Sequence, residues 1–130
     1  MKTASWRTYT GPGRVGICLG APRRAPAGFR LYRALAPTRP MLTQPLAVYR
    51  PAYEAILARL DPHQVWTDLH ELAAGAEPHM MCFEVGPWTE ENFCHRHMAA
   101  RWLEGALNVE IPEYDPTAAQ PSLFAEPVGA

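Results

Sequence analysis

The sequence predicts an α/β fold: a single compact domain with a mixed, mostly parallel sheet flanked by helices. Three observations carry this expectation. Short apolar runs alternate with amphipathic stretches through the second half, the pattern of strands joined by helical crossovers. The first two extended runs flank a tight turn at Gly11, Pro12 and Gly13, which would pair them antiparallel and make the sheet mixed. At 130 residues, 48% apolar and 19% charged, the chain can fill one hydrophobic core but not two.

Residues 5–10 alternate bulky and polar side chains and read as a strand. Residues 14–19 are nearly all apolar and read as a second, central strand. Residues 20–45 are rich in Pro, Ala and Arg without periodicity, a long functional-type loop with one helical turn near 32–36. Pro51 suits the first turn of a helix whose apolar face is Tyr53, Ile56, Leu57 and Leu60. Asp61 then caps a second helix, with Pro62 in its first turn and Gln64 placed as in a capping box. Val65, Leu69 and Leu72 are its stripe, and Gly75 its stop.

Residues 79–85 form a strand after Pro78, and 86–88 a loop. A helix starts between Thr89 and Cys94 and runs to Glu104, with Gly105 as terminator. Met98, Ala99, Trp102 and Leu103 form its inner face. Residues 108–111 make a last short strand. The domain therefore spans 1–111, and 112–130 form a Pro-rich C-terminal tail.

The net charge of -1 conceals an asymmetry. Residues 1–53 hold one Lys and eight Arg and no acid, while the other 77 residues hold all 13 acids and three bases. Arginine forks grip phosphate or carboxylate in two places, so this region suggests an anionic partner. The competing reading is that these arginines pair with the acidic half inside the fold. A pI near 6.5 argues against a strongly basic nucleic-acid binder. No run approaches the roughly 20 apolar residues of a membrane helix, and no leader peptide is legible. The expectation is a soluble cytoplasmic protein without a membrane partner. Its three cysteines are too few for a disulfide framework.

The chemistry concentrates in one place. Cys82 and Glu84 close a strand, and Cys94, His95 and Arg96 follow ten residues later at a helix start. Open α/β sheets keep their sites at such strand ends. Three mechanisms can use the set. Cys94 can be a nucleophile, its thiol acidified by the helix N-terminus and Arg96, with Glu84 as acid or base. The same groups suit a bound phosphate. Metal ligation is the second: Cys94 and His97 share a helix face, with Cys82, Glu84 or His95 completing a zinc-type set. The sequence lacks a Cys-x-x-Cys hook, so it assigns no metal. A reversible Cys82–Cys94 disulfide is the third. Against these stand plain alternatives: Cys82 and Cys18 as core, and Glu84 as the ion-pair partner of Arg96. His63 and His70 read as surface residues, and Trp66 and Trp88 as packing.

Cys82, Phe83 and Glu84, then Cys94, His95 and Arg96 with an apolar helix over 98–103, resemble the signature of domain-of-unknown-function family 488. Upstream, residues 15–19, then Pro22, Arg23, Arg24 and Phe29, resemble that family's buried strand and Pro-Arg loop. The resemblance is specific over 79–104 and looser over 14–33. It implies a compact α/β fold and a site at Cys82, Glu84, Cys94, His95 and Arg96, fed by the arginine loop. It implies no reaction. The gap between Glu84 and Cys94 is longer than in that pattern, the link after the first strand is too short for a helix, and His97 lies outside the motif.

The leading expectation is a thiol-containing active site acting on a nucleotide, nucleic-acid or phosphorylated ligand. Cys94 is the nucleophile or ligand, Glu84 the acid or base, His95 the proton shuttle and Cys82 the supporting thiol; Arg23, Arg24 and Arg96 bind the anion. The alternative is a non-enzymatic nucleic-acid or protein binding module, zinc-stapled or docking through its Pro-rich segments. The cofactor and oligomeric state are not legible.

Overall fold

The computed structural model describes residues 1–89 and 94–118. Four strands, β1 (Lys2–Ser5), β2 (Arg14–Gly16), β3 (Arg30–Leu31) and β4 (His79–Cys82), form one sheet in the order β1-β4-β2-β3. Every pairing is parallel. Two 3-10 turns (Arg33–Leu35 and Arg39–Thr43) lead into α1 (Leu46–Ala58), followed by α2 (Pro62–Leu72) and α3 (His95–Leu107).

The α/β class and the single domain agree with the sequence, but the mixed sheet does not. β1 and β2 do not pair; β4 lies between them. β1 also starts earlier than expected. The alternating residues after Ser5 turn back on themselves, with Thr8 and Tyr9 N–H groups both donating to the Ser5 carbonyl. The chain between Ser5 and Arg14 therefore runs back to the other end of the sheet and skips one strand position. Two strand spacings are about 10 Å, and eight residues reach more than 25 Å, so no helix is needed. Gly13 makes the return possible. Its φ is +80°, and a Cβ there would collide with the Glu77 carbonyl.

β4 is buried along its whole length, as a central strand must be. Parallel register alternates its side chains. Met80 shares a face with Val15 and packs against the helices through Tyr53, Leu57, Leu69, Ala99 and Leu103. Met81 and Ala4 face the other way, under Trp6, Phe29, Tyr9 and Tyr114, so loops cover that face.

Local signals place the helices. Asp61 caps α2, its carboxylate accepting from the His63 N–H at 3.0 Å. α1 begins five residues before Pro51, which sits inside it. The expected stop at Gly105 is also wrong: α3 continues to Leu107, and Asn108 ends it in the left-handed conformation (φ 55°) that asparagine tolerates. Residues 108–111 form no strand. Instead the next residues, on the tail side of the expected boundary at 111, lie along β1. Thr3 N–H donates to the Pro112 carbonyl (3.0 Å), and Tyr114 N–H donates to the Thr3 carbonyl (2.7 Å). Most of the tail lies outside the described residues. No helix among the described residues is long and apolar enough to cross a membrane.

Candidate functional site: two thiols, an imidazole and a carboxylate

The parallel register brings the carboxyl ends of β1, β4 and β2 level: Ser5 stands opposite Cys82, and Gly16 opposite Met81. The segments leaving these strands carry Trp6, Phe83 with Glu84, and Ile17 with Cys18 to one sheet edge. Cys82 is the last residue of β4. Cys94 is the N-cap residue of α3, extended at φ -123° and ψ 145°, and His95 is its first helical residue. The helix therefore starts at the later end of the expected range; residues 90–93 lie outside the described residues. His97, expected to share a face with Cys94, turns instead to Glu113, its Nε2 3.0 Å from Oε1, and is not in the group with Cys94.

The ligand atoms of Cys82, Glu84, Cys94 and His95 all lie within 4.8 Å of one another. The imidazole is held by a third group. Its Nε2 is 2.6 Å from the Ile17 carbonyl, which can only accept, so Nε2 carries the proton. That leaves Nδ1 free beside the thiols, 3.3 Å from Cys82 Sγ, which also stands 3.6 Å from Nε2, and 3.8 Å from Cys94 Sγ. The Tyr53 ring packs edge-on against the imidazole at 5.2 Å. Cys82, Cys94 and His95 are buried, and Glu84 is the exposed member of the group.

The neighbours move each proton. Burial pushes the Cys94 thiol up, but hydrogen bonds from Cys82 and His95, with the His95 and Arg96 charges, outweigh it and hold the thiol well below its ordinary range. Burial pushes His95 down, and contact with the Cys94 sulfur outweighs it and raises the imidazole. Cys82, buried and donating to its neighbours, is pushed well above the ordinary thiol range. Burial and the adjacent Cys94 sulfur raise Glu84. These directions favour charge on Cys94 and His95, with Cys82 as a protonated donor and a carboxyl at the solvent side.

Arg96 stands beside the cluster in another role. It is fully buried and forks onto Glu113, Nε to Oε1 at 3.0 Å and Nη2 to Oε2 at 2.7 Å. Trp88 covers it, the ring centroid 4.7 Å from the guanidinium carbon. His97 Nε2 (3.0 Å) and Thr3 Oγ1 (2.6 Å) hold Glu113 as well. The partner of Arg96 is thus Glu113, not the expected Glu84, and its fork is closed to a bidentate anion. Arg23 and Arg24 are exposed on a turn closed by the Ala25 N–H and the Pro22 carbonyl, in the loop that leaves the site after Cys18. No hydrogen bond or ion pair among the described residues joins either to the cluster. Other bases of the acid-free region hold main chain: the buried Arg14 binds the carbonyls of Gly11, Pro26 and Ala27, and Arg33 binds that of Leu19.

The sequence reading passed over two residues. Cys18, read as core, is buried but lies against the site; the hydrogen bond from Cys82 lowers its thiol to about 7 against the opposing effect of burial, with Trp6 and His95 adding to the lowering. Its position just beyond the end of a central strand was the available signal. Glu113, the counter-ion of Arg96, carried no signal in a segment read as tail.

The fold and site together define a small parallel α/β domain with a thiol-imidazole-carboxylate cluster at the carboxyl edge of its sheet. Comparison with protein-family models, with curated proteins and with solved structures gives no match.

Proposed function

We propose that the protein carries a thiol-centred active site in which Cys94 is the attacking group and the ligand is anionic. One observation carries the reading: His95 is oriented by the Ile17 carbonyl so that its free nitrogen, Nδ1, lies within 3.8 Å of both sulfurs. A nucleophile and a base within reach, with the base fixed by a third group, is the arrangement that activates thiols on unrelated folds. Cys94 is the thiolate of the pair and stands at the N-cap of α3, where the helix dipole favours negative charge. In the step this supports, a bond forms between Cys94 sulfur and an electrophilic centre, and the bond to the leaving group breaks. The leaving group takes a proton from His95. Water, deprotonated by Glu84, then releases the bound group and restores the thiolate, and the proton passes from Glu84 back to His95 to close the cycle. The exposed Glu84 marks the side from which a ligand enters. Arg23 and Arg24, on the loop that leaves the same edge, supply the positive field.

Competition between iodoacetate and iodoacetamide tests both halves of the reading, with each cysteine mapped by mass spectrometry under native conditions. Cys94 should react at pH 6 faster than a free cysteine, and faster than Cys82 in the same chain. The negatively charged reagent should be favoured over the neutral one relative to free cysteine, and R23Q/R24Q should remove that preference. Equal and slow labelling of Cys94 and Cys82 would refute the nucleophile. A reagent ratio unaffected by the arginines would refute the anionic ligand.

A further inference from the structure

We propose that Cys82, Cys94, His95 and Glu84 form a tetrahedral site for one zinc-class divalent ion. The proposal rests on the same convergence as the thiol reading and adds a ligand that regulates it: a bound ion would hold the lone pairs Cys94 needs for attack.

Geometry carries the argument. Zinc binds thiolate at about 2.3 Å and imidazole at about 2.0–2.1 Å, so a tetrahedral ion separates sulfur from nitrogen by about 3.6 Å and sulfur from sulfur by about 3.8 Å. The sulfur to Nδ1 distances of 3.3 and 3.8 Å bracket the first value. The four ligand atoms, all within 4.8 Å of one another, need to close by no more than about 1.5 Å. Two sulfurs with one imidazole select a borderline-soft ion over magnesium or calcium, which take oxygen.

The support around the ligands is also in place. A ligating imidazole characteristically donates its other N–H to a carbonyl or carboxylate, which fixes the tautomer. His95 already does so, to Ile17, and the nitrogen left over lies within 3.8 Å of both sulfurs; binding would swing Cys82 Sγ from its place 3.6 Å from Nε2 toward the Nδ1 side. Cys82 ends a central strand and Cys94 caps a helix, so both thiols stand on rigid elements. Glu84 alone is exposed, so the fourth ligand is one that solvent or substrate can displace. The absence of a Cys-x-x-Cys hook is no obstacle, because two separate elements bring the thiols together.

The metal-free, reduced chain should be titrated with Co2+ and then Zn2+. One Co2+ per chain should bind, with the strong visible absorption of a tetrahedral site and a near-ultraviolet sulfur-to-metal band, and Zn2+ should displace it. Loss of a supporting residue around such a site costs about 10–100-fold in affinity, so removal of a ligand in C82S or C94S should cost at least about 100-fold. Should the buried substitutions impair folding, E84Q alters an exposed position, and it should weaken binding and change the visible bands. Substoichiometric binding, a weak six-coordinate spectrum, or C82S and C94S binding as tightly as the parent would overturn the proposal. Zinc should also shield Cys94 from iodoacetamide. Fast Cys94 labelling without metal binding would sink the metal site alone. Metal binding without fast labelling of the metal-free chain would sink the nucleophile alone.

Discussion

Glu113→Gln should be among the most destabilising single changes in the chain, although Glu113 lies in a segment that reads as a tail. Arg96 is fully buried, and the Glu113 carboxylate is its counter-ion, held in a two-point fork. Gln preserves the shape and one oxygen but leaves the guanidinium charge without its partner. Breaking a buried pair in this way costs about 3–5 kcal/mol. Glu113 keeps 29% of its side-chain surface exposed, so water can solvate part of the defect and the lower end applies, about 3 kcal/mol. For a domain of this size each kcal/mol moves the melting temperature by about 3–6 °C, so the shift should be about 10–20 °C. Urea unfolding followed by circular dichroism should show a lower midpoint with an unchanged slope. A loss below about 1 kcal/mol, the value of a surface pair, would refute the reasoning. A chain ending at residue 111 should lose at least as much stability.

Acid should act through the same residue. Burial pushes Glu113 up, but the hydrogen bonds from His97, Arg96 and Thr3 outweigh it and lower it to about 2, below its unfolded value near 4.5. Its contribution is therefore complete above about pH 4.5 and is lost as pH falls toward 2, so urea midpoints should drop between pH 5 and 3 and less so in E113Q. Glu77, lowered to about 2 chiefly by Lys2 and the N-terminal amine, should account for part of what remains. Tyr53→Phe should cost about 1–2 kcal/mol, because it removes the 2.7 Å hydrogen bond to the buried Leu35 carbonyl; equal thermal midpoints would contradict this. Gly13→Ala should leave little folded protein by circular dichroism, since the left-handed backbone and the Glu77 carbonyl both oppose a Cβ. A folded G13A with parental stability would contradict the path drawn for the return to β2.

What the sequence made legible was local. Asp61 and Pro62 announce the start of α2 through capping chemistry that needs no tertiary partner, and the density of reactive groups around Cys82 and Cys94 pointed to the sheet edge where they meet. What it concealed depended on distant neighbours. The alternation after Ser5 imitates a strand, yet those residues cover the sheet face, and only the insertion of β4 between β1 and β2 shows why. Pro51 reads as a helix start because its ring fits there, but α1 forms around it from Leu46. Cys18 gains its neighbours only when parallel pairing levels the strand ends. The Arg96 to Glu113 pair spans 17 positions with no periodic signal.

The account depends on His95 serving both sulfurs through Nδ1. Nitrogen-15 NMR of histidine-labelled protein across pH tests this most directly. His95 should keep its Nε2 proton throughout, titrate above the ordinary histidine range, and titrate lower in C94S, where the sulfur contact that offsets burial is lost. A His95 with its proton on Nδ1, or a titration unchanged by C94S, would contradict the arrangement on which the nucleophile and the metal site both rest.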